Sequence, residues 1–277
     1  MQTRLDPARP QPPEVMVLKE CRILSVGIDR VTLPEAAARL EALVTAGGSH
    51  QVVTVNLDFL RLAQRDAEFR RVLNAAALAV ADGAPLVWAS RLAGTPLPAR
   101  VTGVELVEQA AGLAARRGWS IYLLGAAPGV AAEAAAALRR RHAGLRIAGA
   151  YAPPFGPLGA DEEQRIVGQI AAARPAFLFV AFGAPRQDLW IDRHLHELGV
   201  PVCMGVGGTF DLLGGRLARA PGWMQRVGLE WLYRLQQEPR RLWRRYLLND
   251  LPFFARLLWT FRPSRLIRRG ETDALRQ

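Results

Sequence analysis

Short apolar runs alternate along the chain with longer stretches whose apolar residues recur at helical spacing. Residues 21–28, 51–55, 78–81, 120–124, 145–148, 176–181 and 202–206 read as strands. Residues 34–45, 57–74, 84–92, 103–117, 128–141, 161–173 and 185–198 read as the helices between them. Strands that are apolar throughout, rather than alternating, are buried on both faces, and helices between them supply the crossovers of a parallel sheet. The fold expected is α/β: a doubly wound, mostly parallel, Rossmann-like sheet. Beyond Gly222 the pattern changes. Trp223, Trp231, Tyr233, Trp243, Tyr246, Phe253, Phe254, Trp259 and Phe261 interleave with arginines at helical spacing, which predicts a helical, amphipathic appendage. The organisation read from this is a disordered 1–15, a catalytic core over 16–215, an appendage over 216–262 and a flexible tail over 263–277.

In a doubly wound sheet, ligands collect where strand carboxyl ends run into loops and helix N-termini. Five strand ends here carry glycine or polar residues: Thr54-Val55-Asn56, Ala81-Asp82-Gly83, Gly125-Ala126-Ala127-Pro128-Gly129, Phe182-Gly183-Ala184-Pro185 and Gly205-Val206-Gly207-Gly208. They would meet on one rim, and the site is expected there. Asp82 would expose a carboxylate on that rim, or else cap the helix starting near Ala84. Thr54 and Asn56 would point the same way from an extended strand and offer a hydroxyl and an amide to a sugar, although Asn56 or Asp58 could equally cap the next helix. The Gly125 turn lacks a full G-x-G-x-x-G and a Walker lysine, so a phosphate seat and a tight βα turn both fit it. Gln187, in a helix's first turn, suits a sugar hydroxyl or phosphate oxygen, or simply solvent. Asp211, after the glycine turn, could take hydrogen bonds from a base or ribose, or stabilise the turn.

Charge sharpens the picture of the C-terminal part. The chain of 277 residues carries a net charge of +11, and Lys19 is its only lysine. Between Arg216 and Arg269 stand thirteen arginines against Glu230, Glu238 and Asp250, so the excess is concentrated there. Such a basic segment suits nucleic acid or an anionic membrane. Its tryptophans and arginine stems favour the headgroup region of a bilayer, and no nucleic-acid recognition motif accompanies it. No apolar run reaches the roughly 20 residues a membrane-spanning helix needs, and 1–14 has neither signal-peptide nor anchor character, so a cytosolic or peripheral protein is expected. Cys21 and Cys203 lie in separate apolar segments and read as reduced core residues. With no D-x-D and with His194 and His196 wrongly spaced to share one helical face, no obligatory metal and no cofactor are expected.

Several spaced motifs, taken together, resemble the WecG/TagA/CpsF family, glycosyltransferase family 26. They are Thr54-Val-Asn-Leu-Asp58, Ala81-Asp-Gly83, Arg100-Val-Thr-Gly103, Phe182-Gly-Ala-Pro-Arg-Gln-Asp188, Gly205-Val-Gly-Gly-Thr-Phe-Asp211, Arg219-Ala-Pro-Gly-Trp223, Gly228-Leu-Glu-Trp-Leu-Tyr-Arg-Leu235 and Glu238-Pro-Arg-Arg241. The resemblance runs over roughly 23–254. It implies a metal-independent inverting transferase that takes a UDP-sugar donor and a polyprenyl-diphosphate-linked sugar acceptor at the inner face of the cell membrane. It assigns the general base to Asp82, with Thr54 and Asn56 beside the acceptor or base. It makes Gln187 and Asp211 substrate-binding candidates, beside Gly125 from the glycine turn above, and it gives Arg234, Arg241 and Arg244 the diphosphates once the appendage closes over the site. Asp188 stands where the family often has glutamate.

The resemblance leaves the transferred sugar open, among N-acetylmannosamine, N-acetylmannosaminuronic acid, glucose and galactose, in exopolysaccharide or other cell-surface polysaccharide synthesis. A homo-oligomer is compatible with it. Two rival readings are an inactive scaffold of the same family and a basic nucleic-acid-binding protein. Retention of Asp82, Asn56, Gln187 and Arg234 together argues against the first, and the apolar spacing within the basic segment argues against the second.

Overall fold

The structure, a computed structural model, describes residues 20–154, 156 and 158–261. The segments 1–15 and 263–277, and Arg262, Arg265, Arg268 and Arg269 with them, lie outside the described residues. Cys21 and Cys203 are buried free thiols, as their apolar settings predict.

Six strands form one parallel sheet: β3 (His50–Val55), β4 (Leu78–Ala81), β5 (Ser120–Gly125), β6 (Arg146–Tyr151), β7 (Phe177–Ala181) and β8 (Val202–Gly205). Their spatial order is β4-β3-β8-β7-β5-β6. The first predicted strand, 21–28, is instead a hairpin of β1 (Glu20–Ile23) and β2 (Val26–Asp29), antiparallel and separate from the main sheet. The turn falls at Leu24-Ser25, without glycine or proline in it, and Leu24 takes φ 54° there. Asn74 holds that turn, accepting from Gly27 N at 2.9 Å and donating to Ser25 O at 2.9 Å.

Along each strand the side chains alternate between two covered faces. Val52, Leu78, Val80, Ile121, Leu123, Phe177, Phe179, Val202 and Met204 share one cluster with α1 (Leu33–Ala46), α5 (Gly103–Arg117), α6 (Val130–Arg141) and α9 (Thr209–Leu213). The opposite face is divided in two. Val53, Val55, Ala79 and Ala81 pack under the hairpin, α2 (Leu57–Ala63), α3 (Ala67–Ala75) and α4 (Ala84–Leu92). Tyr122, Leu124, Leu178, Val180 and Cys203 pack under α7 (Ala160–Ala173) and α8 (Arg186–Leu198). The helix predicted over 57–74 is therefore two, because Asp66 stops the first and caps the second by accepting from Phe69 N at 2.9 Å. Complete burial of a side chain such as Phe179 contributes about 2–3 kcal/mol.

After β3 the chain leaves toward α2 on one face, and after β8 it leaves toward α9 on the other. Divergent exits from neighbouring strands open a crevice at the carboxyl ends, the place where doubly wound sheets hold ligands. The C-terminal segment runs across that end as α10 (Gly222–Arg226), α11 (Glu230–Gln237), α12 (Pro239–Trp243), a π-helical turn (Arg244–Asp250) and α13 (Leu251–Thr260). The predicted helical appendage is present, and it is docked.

Candidate active site

Asp82 follows β4, and its own N–H bonds Val55 O at 2.7 Å, which pins it beside the end of β3. The alternative of a cap on α4 does not hold. The N-cap there is Gly83, whose φ of 122° only glycine tolerates readily, and no side chain caps the helix. The Asp82 carboxylate instead accepts from Gly103 N, the first turn of α5, at 3.3 Å. Removal from water pushes its acid up to about 6; the Gly103 bond and the charges of Arg234 and Arg100 pull it back in part, and Glu230 adds to the rise. A carboxylate so placed is largely ionised at neutral pH yet basic enough to accept a proton, which is what a general base requires.

The other strand ends close around it. Thr54 is buried on β3, and a methyl group built on Gly103 would stand 3.5 Å from the Thr209 hydroxyl and 3.8 Å from that of Thr54. Asn56 caps α2, its side-chain oxygen accepting from Phe59 N at 3.1 Å, so its amide nitrogen and one oxygen lone pair are left for a substrate. On the β8 side, a methyl built on Gly208 would lie 2.9 Å from Arg234 Nη2, 3.6 Å from Arg241 Nη2 and 3.9 Å from Asp211 Oδ2. Arg234, Arg241 and Asp211 thus meet over the glycine turn, with Arg234 reaching from α11 toward both Gly208 and Asp82.

Three predicted residues stand differently from their expected roles. Gln187 is buried, and its side-chain oxygen accepts from Gly183 N at 3.1 Å and Gly207 N at 3.0 Å. It ties the β7 and β8 loops together, and that oxygen is not available to a sugar. Gly125 packs its Cα against the Ala181 carbonyl, where an added methyl would come within 2.8 Å, and Ala126 N bonds that same oxygen at 3.0 Å. The tight-turn alternative therefore accounts for this glycine. It also stands four strands from Asp82, about 19 Å at the usual strand spacing. Arg244 is exposed and stacks over the Trp243 ring, 5.3 Å from its centroid.

Residues not singled out in the sequence complete the site's wall. Arg100 reaches Glu230 of α11 at 3.5 Å and Gln225 of α10 at 3.3 Å. Arg219 bonds Glu105 at 2.7 Å and lies 3.6 Å from Glu230. These pairs join core to appendage next to Asp82. The motif 100–103 was the available signal: its Thr102 forms a capping box with Glu105 that sets the start of α5, and its arginine lies 3.7 Å from Glu105.

Residues 21–266 match the description Glycosyl transferase WecG/TagA/CpsF family. The chain belongs to that family. It is a glycosyltransferase, and the docked appendage belongs to the matched region. Similar curated proteins bear one name, N-acetylglucosaminyldiphosphoundecaprenol N-acetyl-beta-D-mannosaminyltransferase. One from Bacillus spizizenii strain W23 is 34% identical over 196 residues, covering 71% of this chain and 74% of the relative. One from Bacillus subtilis strain 168 is 33% identical, covering 74% and 77%. One from Staphylococcus aureus strain MW2 is 29% identical, covering 84% and 89%. Among the described residues no helix is long and apolar enough to cross a membrane.

Proposed function

We propose that this glycosyltransferase moves an N-acetylhexosamine-type sugar, with N-acetylmannosamine the first candidate by its relatives' name, from a UDP-sugar onto undecaprenyl-diphosphate-linked N-acetylglucosamine at the inner face of the cell membrane. The observation that carries the reading is Asp82: a carboxylate raised to about 6, facing Arg234 across the strand-end crevice. Asp82 removes the proton from an acceptor hydroxyl as that oxygen attacks the anomeric carbon. The carbon–oxygen bond to UDP breaks on the opposite face, so an α-linked donor gives a β-linked product. The proton ends on Asp82 and the negative charge on the departing diphosphate. Arg234 and Arg241, beside Gly208, are placed to take that charge, since guanidinium groups grip phosphate oxygens two at a time. Asp211 and the Gly205–Gly208 turn are the candidates for the nucleoside end, and the Asn56 amide nitrogen and Thr54 hydroxyl for the sugar.

The test is turnover in mixed micelles of short polyprenyl-diphosphate N-acetylglucosamine against a panel of UDP-sugars. Asp82→Asn is expected to lower kcat by about 10²–10⁴-fold, the usual worth of a positioned base, with the circular dichroism unchanged. Full turnover in Asp82→Asn removes Asp82 from the chemistry, and no turnover by the wild type with any donor overturns the reading as a whole.

A further inference from the structure

Thr209, the first residue of α9, joins the rim from the β8 side, although its sequence motif had pointed only to Asp211. Its N–H bonds Val206 O at 3.1 Å, and Phe210 after it is completely buried, so its backbone is held firmly. Thr209 is 5% exposed and Thr54, on β3, is 6% exposed, and neither hydroxyl has a protein partner among the described residues. Both side chains border one point, the place where a side chain on Gly103 would begin. Thr209 Oγ1 stands 3.5 Å from that point, Thr54 Oγ1 3.8 Å and Thr54 Cγ2 3.7 Å. The Gly103 N–H donates to Asp82 at 3.3 Å, which puts the same point beside the base.

Nothing in the backbone requires glycine at 103. It is the first residue of α5 and has none of the positive φ values that favour glycine. A methyl added there meets its neighbours at ordinary contact distance, not in a clash. Alanine is also the better helix former. What the missing side chain provides is a small niche walled by two hydroxyls and a methyl, next to the group that takes the proton. Hydroxyls shut off from water by a substrate are destabilising unless the substrate bonds them. An acetamido group meets all three parts of the wall. Its carbonyl oxygen accepts from one hydroxyl, its N–H donates to the other, and its methyl lies against Thr54 Cγ2. A sugar hydroxyl in the same place would leave that methyl without an apolar partner.

We propose that Gly103, Thr54 and Thr209 form a subsite for the 2-acetamido group of an amino sugar, and that the Thr209 hydroxyl selects for it. The proposal rests on the transferase reading above, in which donor and acceptor both carry such a group; the experiment separates these two sources.

In one arm, kcat/KM is measured for a UDP-N-acetylhexosamine against the matching UDP-hexose with the acceptor fixed. In the other, polyprenyl-diphosphate N-acetylglucosamine is compared with polyprenyl-diphosphate glucose, with the donor fixed. Wild type is expected to favour the acetamido substrate. Thr209→Val keeps the side chain's shape and loses its hydroxyl. It is expected to cut the preference about tenfold, the worth of one hydrogen bond, by slowing the acetamido substrate and not its 2-hydroxyl analogue. Thr209→Ser restores the preference. Gly103→Ala, which fills the niche, is expected to cut it at least as far while urea stability stays level or rises. The arm in which the variants cut the preference names the sugar. The rise in melting temperature that each substrate causes alone gives the same preference without turnover. If wild type favours the acetamido substrate in neither arm, or if Thr209→Val and Gly103→Ala slow both members of each pair alike, the subsite is overturned and the transferase reading stands. If no donor turns over, that reading falls, and melting temperatures without a preference overturn the subsite as well.

Discussion

Every residue of β7 is buried, Phe177 through Val180 completely, whereas α10 and α11 bury no residue at all. Leu242 and Leu257 are the buried apolar residues of the segment beyond Gly222 among the described ones. Leu257, with Phe253, Phe254 and Phe261 beside it, packs on the core, and ion pairs add to this: Arg100 with Glu230, Arg219 with Glu230, and Arg245 with Asp58 at 3.2 Å. Partly exposed ion pairs contribute little each, about 0–1 kcal/mol, while each fully buried large side chain contributes several times that. The sheet is therefore anchored by far more complete burial than the helices over its end.

The largest effects should expose it directly. Phe179→Ala, in the completely buried layer beneath α5 and α6, is expected to cost about 3–5 kcal/mol and to move the whole urea transition. Leu257→Ala removes one of the few apolar anchors of α13, and its cost should appear locally. Trypsin should cut the arginines of 219–245 faster while the core transition hardly moves. A Leu257→Ala protein whose entire transition shifts as far as that of Phe179→Ala would mean that core and appendage unfold as one unit.

The two regions also hold different buried acids. Asp188 on α8 is completely buried beneath Gly205; burial pushes it to about 7, and the Gln187 amide beside it offsets part of that. Asp250 in the appendage is raised to about 6, by burial first and then by Asp58, with Arg245 and Arg61 opposing. An acid raised in the folded state binds more protons there than in the unfolded chain, so stability falls as pH rises across the interval between the two values. For Asp188 that interval runs from about 4 to about 7, at up to about 1.4 kcal/mol per pH unit. Asp188→Asn should flatten the core's urea stability over that range and leave the protein more stable than wild type at pH 8. An unchanged slope would mean that Asp188 is not ionised there or is compensated by a partner.

Much of this was legible in the strand patterns. Continuous apolar runs marked the parallel strands, and the polar residues ending them marked the rim, because only strand ends escape the covering helices. Asp82, Thr54, Asn56, Asp211, Arg234 and Arg241 all come to that rim. Periodicity says nothing of where a side chain's hydrogen-bonding capacity goes, which is why Gln187 and Gly125 read as ligand-binding when one ties two loops and the other lets two strands approach. The pairing of Arg100 with Glu230, 130 residues apart, has no local signature, and the hairpin turn is marked by Ser25 alone, with the apolar Leu24 taking the positive φ.

The smallest effect tests whether the two regions communicate. Glu230 is an appendage residue whose charge adds to the rise at Asp82, and it reaches the core through Arg100. With Asp82 as base, kcat/KM should rise with pH through a limb near 6, since only the ionised carboxylate accepts the proton. Glu230→Gln removes a like charge from beside that carboxylate and frees Arg100 from one of its anions. Both changes favour the ionised form, so the limb should move toward acid pH. The same variant loses an ion pair between core and appendage, so it should also raise KM for the lipid acceptor modestly. A limb that moves acid-ward places α11 over Asp82 during turnover. A limb that stays put, with only KM changed, means that the chemical step runs with the appendage lifted and that Arg234 acts at some other stage of the cycle.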